Sequence, residues 1–173
     1  MSYVLLDRYI ELVSGEYGKA VKTVSHKEAF LDTESSPYPI MPASLVIETQ
    51  AQVAGILAAF TMDFKSKSVL GKLDRAEFFR PVGPGDCLEI TARIDSTMEE
   101  SKGRNFLVST TVEVDGVEVA RMRSILAALD LDSSEGRHFD TTVFKRERED
   151  LLRTTGVLEL LNDAHRELLA SGF

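Results

Sequence analysis

Glu48 is the residue of this sequence whose type and setting best suit it to chemistry. It lies within the run 43–60, which is apolar on nearly every face when wound as a helix. Ser44, Glu48 and Gln52 are spaced i, i+4 and i+8, so on a helix their side chains form one polar stripe. A carboxylate desolvated on such a helix suits a general acid working near neutral pH. The same carboxylate also fits a structural role, hydrogen-bonded to Gln52 or across a subunit interface. The spacing leaves both readings open.

The start of that helix is a second device. Pro42 is well placed at or near the first helical position, and no further proline follows before Met62. The amides just after it lack intrahelical acceptors and carry the positive end of the helix dipole. Such amides can polarise a carbonyl and, in a thioester, stabilise the enolate formed when the α-proton leaves. Every helix has such an end, so the feature has little specificity alone.

The elements that must hold these groups can be read from pattern. Tyr9 to Val13 and Lys19 to Ser25 read as strands joined by a glycine turn, Ser14 to Gly18. The segment 32–39 is a loop dense in Ser, Pro, Thr and acids. After the helix come extended segments over Ser68 to Leu70, Glu77 to Arg80, Leu88 to Asp95, Asn105 to Val114 and Val117 to Leu131. Asp115-Gly116 is the strongest short hairpin signal, and Pro81 to Asp86 reads as a rigid turn. Strand pair, one long helix, then a run of strands predicts an α+β fold with the helix packed on an antiparallel sheet. A linker-like break at Ser133 to Gly136 divides a domain over 1–132 from a C-terminal helical appendage over 133–173. Two short amphipathic helices, Lys145 to Arg153 and Val157 to Leu169, are expected there, separated near Gly156. Leu158, Leu160, Leu161, Leu168 and Leu169 require cover from the domain or a partner subunit.

Composition narrows the function. The chain has 173 residues, 43% of them hydrophobic, and a formal net charge of −8, so a broad phosphate-binding surface and a nucleic-acid partner are not expected. Lys65, Lys67, Lys72, Arg75 and Arg80 form a local basic region where an acidic carrier could dock, although a solvated charged face is the commoner meaning of such a cluster. With Cys87 as the single cysteine there is no intrachain disulfide and no cysteine-rich zinc site. No metal or cofactor is called for. The N-terminus is neither a signal peptide nor a span, and the apolar-rich stretch from Ala51 to Phe60 is too short to cross a bilayer, which places the expected location in the cytoplasm.

Three separated segments, in order, resemble the 3-hydroxyacyl-(acyl carrier protein) dehydratase family. They are Leu5-Leu6-Asp7-Arg8; Glu28-Ala29-Phe30-Leu31 followed by Tyr38-Pro39-Ile40-Met41-Pro42-Ala43-Ser44-Leu45-Val46-Ile47-Glu48 and Ala51-Gln52; and the run from Leu73 to Asp86. The resemblance implies a hotdog fold, an antiparallel sheet wrapped around one long central helix; a lone sheet of this kind would leave an edge strand and one end of the helix poorly covered, so a homodimer or a multiple of dimers is expected. The resemblance places Glu48 at the family's helix carboxylate, which works on the 3-hydroxyl as it leaves as water. Met41, Ala43, Ser44 and Gln52 fall where substrate contacts are expected. The family's other catalytic residue is a histidine in a His-Phe-Pro-Gly run, and the aligned residues here are Glu34-Ser35-Ser36-Pro37. Glu34 therefore stands where the base is expected, and Ala43 replaces the family's glycine. His26, His138 and His165 match no catalytic position. The implied substrate is an acyl thioester of acyl carrier protein or coenzyme A, in fatty-acid or related acyl-chain metabolism. A thioesterase, with Glu48 activating water or attacking the carbonyl, is the alternative enzyme. A non-catalytic acyl-binding or subunit-partner protein that lost the base is the alternative of another class.

Overall fold

The structure, a computed structural model, describes residues 4–31, 38–100, 103–130 and 149–170. Two strands, β1 (Arg8–Val13) and β2 (Tyr17–Thr23), precede helix α1 (Ala43–Thr61). Four long strands follow: β3 (Ser66–Phe78), β4 (Cys87–Glu100), β5 (Gly103–Val114) and β6 (Val117–Asp130). They form one antiparallel sheet in the order β1-β2-β4-β5-β6-β3. Helical residues 149–154 (α2), α3 (Val157–Leu160) and α4 (Asp163–Ala170) close the described chain.

Alternation decides which face of the sheet receives α1. On β5, Phe106, Val108, Thr110, Val112 and Val114 are buried and the residues between them are less so, the period-two pattern of a sheet covered on one side. Their partners on β6, including Leu126, Met122 and Ala120, are buried in register. Val53, Ala54, Leu57 and Ala58 of α1 are fully buried against this face. Each large apolar side chain so covered contributes about 1.5–3 kcal/mol. The β5–β6 hairpin turns at Asp115 (φ 52°) and Gly116 (φ 75°), two consecutive left-handed residues as a tight two-residue turn demands.

Three expectations are corrected. Segments 68–70 and 77–80, expected as separate strands, belong to one strand that begins at Ser66 and ends at Phe78, with Arg80 beyond it. Two register shifts, at Leu70/Lys72 and Leu73/Arg75, break the alternation there and hide the continuity. The apolar run that looked too short to span a membrane is part of a 19-residue helix long and apolar enough by length and composition to do so. In the fold, 56% of its apolar window is buried inside the protein. The expected helix Val157 to Leu169 is broken, because Leu161 is extended (ψ 141°) between α3 and α4. The break near Gly156 is present, with that glycine left-handed at the start of α3.

The C-terminal helices pack on the sheet and on the end of α1. Leu152, Val157 and Leu161 are buried in the same core as α1. The His165 ring lies 4.7 Å from that of Phe60, and its Nε2 is 3.7 Å from an Asp63 oxygen. Leu158 and Leu169 are partly buried against the core, whereas Leu160 remains 39% exposed.

Candidate active site

The segment entering α1 is fixed from outside the helix. Met41 is buried, and its amide donates to the Val82 carbonyl at 2.7 Å. That carbonyl belongs to the turn 81–86, which is closed by Arg80. The Arg80 guanidinium meets both Asp86 oxygens, at 2.9 and 3.0 Å, and the Gly83 amide donates to the same carboxylate at 2.9 Å. The Arg80 hydrogen bonds hold the Asp86 carboxyl below its usual range, with the Gly83 amide assisting and burial opposing. Gly83 has no alternative, since a Cβ there would come within 2.9 Å of the Pro39 carbonyl oxygen.

From this anchored start the first amides of α1 face outward. Leu45 and Val46 both donate back to the Pro42 carbonyl, and among the described residues no side chain caps the helix. Among the described residues no acceptor meets the amides of Ala43 and Ser44, and both residues are exposed. Glu48 lies one turn further along, about 6 Å by helix rise. The polar stripe is real: Gln52 Nε2 donates to Glu48 Oε1 at 3.1 Å. Among the described residues Glu48 Oε2 has no partner, so one carboxylate oxygen is held and the other is not. The open amides can donate to a carbonyl, and the unpartnered carboxylate oxygen can exchange a proton with a hydroxyl.

The desolvation expected of Glu48 is not met within one chain. Its side chain is exposed, because α1 lays one side on the sheet and turns Ser44 and Glu48 away from it. The small and polar residues 43, 44, 48, 51 and 52 gather on the side of the helix that the sheet does not cover. Glu34 and neighbouring Asp32 lie outside the described residues, as do Ser35, Ser36 and Pro37. His26 is exposed just after β2, and His165 sits at the far end of α1.

Sequence reasoning missed the N-terminal contribution. The Leu5 amide donates to Gln52 Oε1 at 3.0 Å, and the Tyr9 hydroxyl donates to the carbonyls of Gln52 and Val53 at 3.1 and 3.3 Å. Burial raises the Tyr9 phenol well above its ordinary value. Local spacing cannot reveal contacts across more than forty residues. The family-like segment Leu5-Leu6-Asp7-Arg8 was the one available signal.

The basic region is largely offset by its own neighbours. Lys72 pairs with Asp74 at 3.4 Å, Arg75 with Glu77 at 2.9 Å, and Arg80 with Asp86. A groove of about 560 Å³ lies elsewhere, among the C-terminal helices, floored by Leu152, Leu158 and Leu169 and edged by two arginines and two glutamates. No group of three or more metal-ligating side chains is present among the described residues.

Comparison with known proteins agrees with this architecture. The FabA-like domain family matches residues 2–123. The chain is 33% identical over 137 residues to the 3-hydroxyacyl-(acyl-carrier-protein) dehydratase FabZ of Acidiphilium cryptum, covering 78% of this chain and 81% of that one. It is 35% identical over 129 residues to FabZ of Syntrophotalea carbinolica, covering 72% and 85%. Among solved structures, smu.793 from Streptococcus mutans UA159 bound to acetyl CoA superimposes with a TM-score of 0.56 at 15% identity, over 71% of this chain and 88% of that one. With strands, helix and signature segments all in the family's order, the chain belongs to the FabA-like family of 3-hydroxyacyl-(acyl-carrier-protein) dehydratase relatives, built on the hotdog fold.

Proposed function

We propose that this protein dehydrates a 3-hydroxyacyl thioester, or hydrates the corresponding enoyl thioester, with Glu48 as the acid and Glu34 as the base. The observation that carries the reading is the pairing of Glu48 Oε2, unpartnered among the described residues, with the open amides of Ala43 and Ser44 one turn away. The amides take the thioester carbonyl, flanked by the substrate-contact positions Met41 and Gln52. The base removes the α-proton, and the C2–H electrons form the C2=C3 bond. The C3–O bond breaks, and the departing oxygen takes a proton from Glu48 to leave as water. Glu48 then recovers a proton and the base loses one to solvent.

Two copies of the chain complete the site in this proposal. The uncovered stripe of α1 and the free edge of β3, with Leu70 and Leu73 each about two-fifths exposed, are surfaces that a second copy would cover. Sedimentation should give a dimer or a multiple of dimers at micromolar concentration, and a folded monomer would refute this part. The reading places the protein in the cytoplasm, acting on thioesters of acyl carrier protein or coenzyme A without metal or cofactor. The partition at Ser133 to Gly136 is likewise a proposal.

The exposed Glu48, together with a family histidine replaced by Glu34, favours one second reading. A carboxylate open to water can also activate that water against a thioester carbonyl, making the protein a thioesterase. Incubation of purified protein with 3-hydroxyacyl and saturated acyl thioesters decides. Enoyl formation supports the dehydratase, free thiol from either substrate supports the thioesterase, and neither product leaves a non-catalytic acyl-binding protein.

A further inference from the structure

We infer that residues 5–7 form a strap that orients the candidate acid, with Asp7 a positioning residue acting on Glu48 through Gln52. The inference deepens the proposed function and rests on Glu48 being the acid.

The chemistry of a primary amide makes the arrangement directional. Gln52 has one accepting end and one donating end. The Leu5 backbone N–H can only donate, so it selects Oε1, at 3.0 Å. The opposite end must then be the NH2, and it meets Glu48 Oε1 at 3.1 Å. A flipped amide would set its own oxygen against the carboxylate and two N–H groups against one another. The strap removes that alternative and leaves Glu48 Oε2 as the oxygen turned to substrate.

The strap is fixed at three levels. Leu5 and Leu6 are 4% and 5% exposed, so their side chains are anchored in the core. The Asp7 amide donates to the Val21 carbonyl at 2.9 Å, and its carboxylate accepts from the Thr23 amide at 2.6 Å. Lys22, whose side chain is 5% exposed, brings its Nζ to 3.9 Å from the other Asp7 oxygen. That ammonium also donates to the Thr23 carbonyl at 2.6 Å and is paired with Glu28. A nearly buried cation is strongly held where its partners stand. Asp7 thus ties the strap to the end of β2, while the Tyr9 hydroxyl secures the same turn of α1 through the Gln52 carbonyl.

The test uses the full chain with Asp7→Ala, Asp7→Asn, Gln52→Met and the double variant Asp7→Ala/Gln52→Met. Each is assayed on the 3-hydroxyacyl thioester, with amide exchange at Leu5 and the Gln52 side-chain NH2 signal followed by NMR. Asp7→Ala should lower kcat by about 10-fold or more with KM within about 2-fold, since small displacements of a catalytic group are costly. Asp7→Asn keeps an acceptor for Thr23 and should recover most of that loss. In the Gln52→Met background Asp7→Ala should add less than about 2-fold, because its effect passes through Gln52. An undiminished effect there, or Leu5 exchange and a Gln52 signal unchanged in Asp7→Ala, would overturn the strap. Should Asp7→Ala fail to fold, Gln52→Glu keeps the Leu5 bond but removes the donor toward Glu48. Its kcat must then fall, and wild-type kcat would overturn the inference. A wild type that turns over no thioester would end the dehydratase reading alone, since the NMR signals still decide whether Asp7 sets the Gln52 amide.

Discussion

The amide of Tyr9 donates to the carbonyl of Thr155 at 2.8 Å, so a residue of the C-terminal segment sits on the outer edge of β1. Tyr9 pairs with Ala20 of β2 on its other side. The first strand of the sheet is thereby held between its neighbour in sequence and a residue 146 positions later in the chain (155 − 9 = 146).

This stitching predicts that the C-terminal helices contribute to the stability of the whole fold. Leu152 is fully buried, and Leu152→Ala should cost about 2–5 kcal/mol in urea unfolding. A loss below about 1 kcal/mol would show that these helices lie outside the cooperative unit.

Glu48→Gln is nearly isosteric and preserves a partner for Gln52. It should leave the circular dichroism and melting temperature close to wild type while lowering kcat on a 3-hydroxyacyl thioester by about 100-fold or more. Activity within a few-fold of wild type would make Glu48 structural.

Under the proposed function Glu34 is the base, 14 positions before Glu48 (48 − 34 = 14), and Glu34→His puts an imidazole in that role. It should preserve or increase enoyl thioester formation near neutral pH, because imidazole titrates there. Measured from pH 5 to 9, silence from both proteins would end the dehydratase reading and leave the fold untouched.

Asp86 gives a prediction about acid. The Arg80 hydrogen bonds depress its carboxyl on folding, so its stabilising contribution is complete above the unfolded value near 3.8 and disappears as pH falls through the lower folded value. Asp86→Asn should melt lower than wild type at pH 7, by about 4 °C for a contribution near 1 kcal/mol. The difference should shrink as pH drops below about 4. A constant gap down to pH 2 would show that the ion pair does not contribute through its charge.

What was legible in the sequence follows from the range of the forces involved. The Asp115-Gly116 turn, the helix after Pro42 and the Ser44–Glu48–Gln52 stripe depend on neighbours within a few residues, and each stands where its spacing puts it. β3 was obscured because its register shifts spoil the alternation that marks a strand. The exposure of Glu48 was misread because an apolar run does not reveal how much of a helix one sheet can cover. The link from Leu5 to Gln52 spans 47 residues and follows only from the fold.

The two edges of the sheet are unequal. Thr155 occupies a backbone donor of β1, while β3 offers a strand of 13 residues with no neighbour beyond it in the sheet among the described residues. Two copies joined through β3 would each present only the obstructed β1 outward. Growth by the same contact would stop there, giving a closed twofold pair rather than a filament.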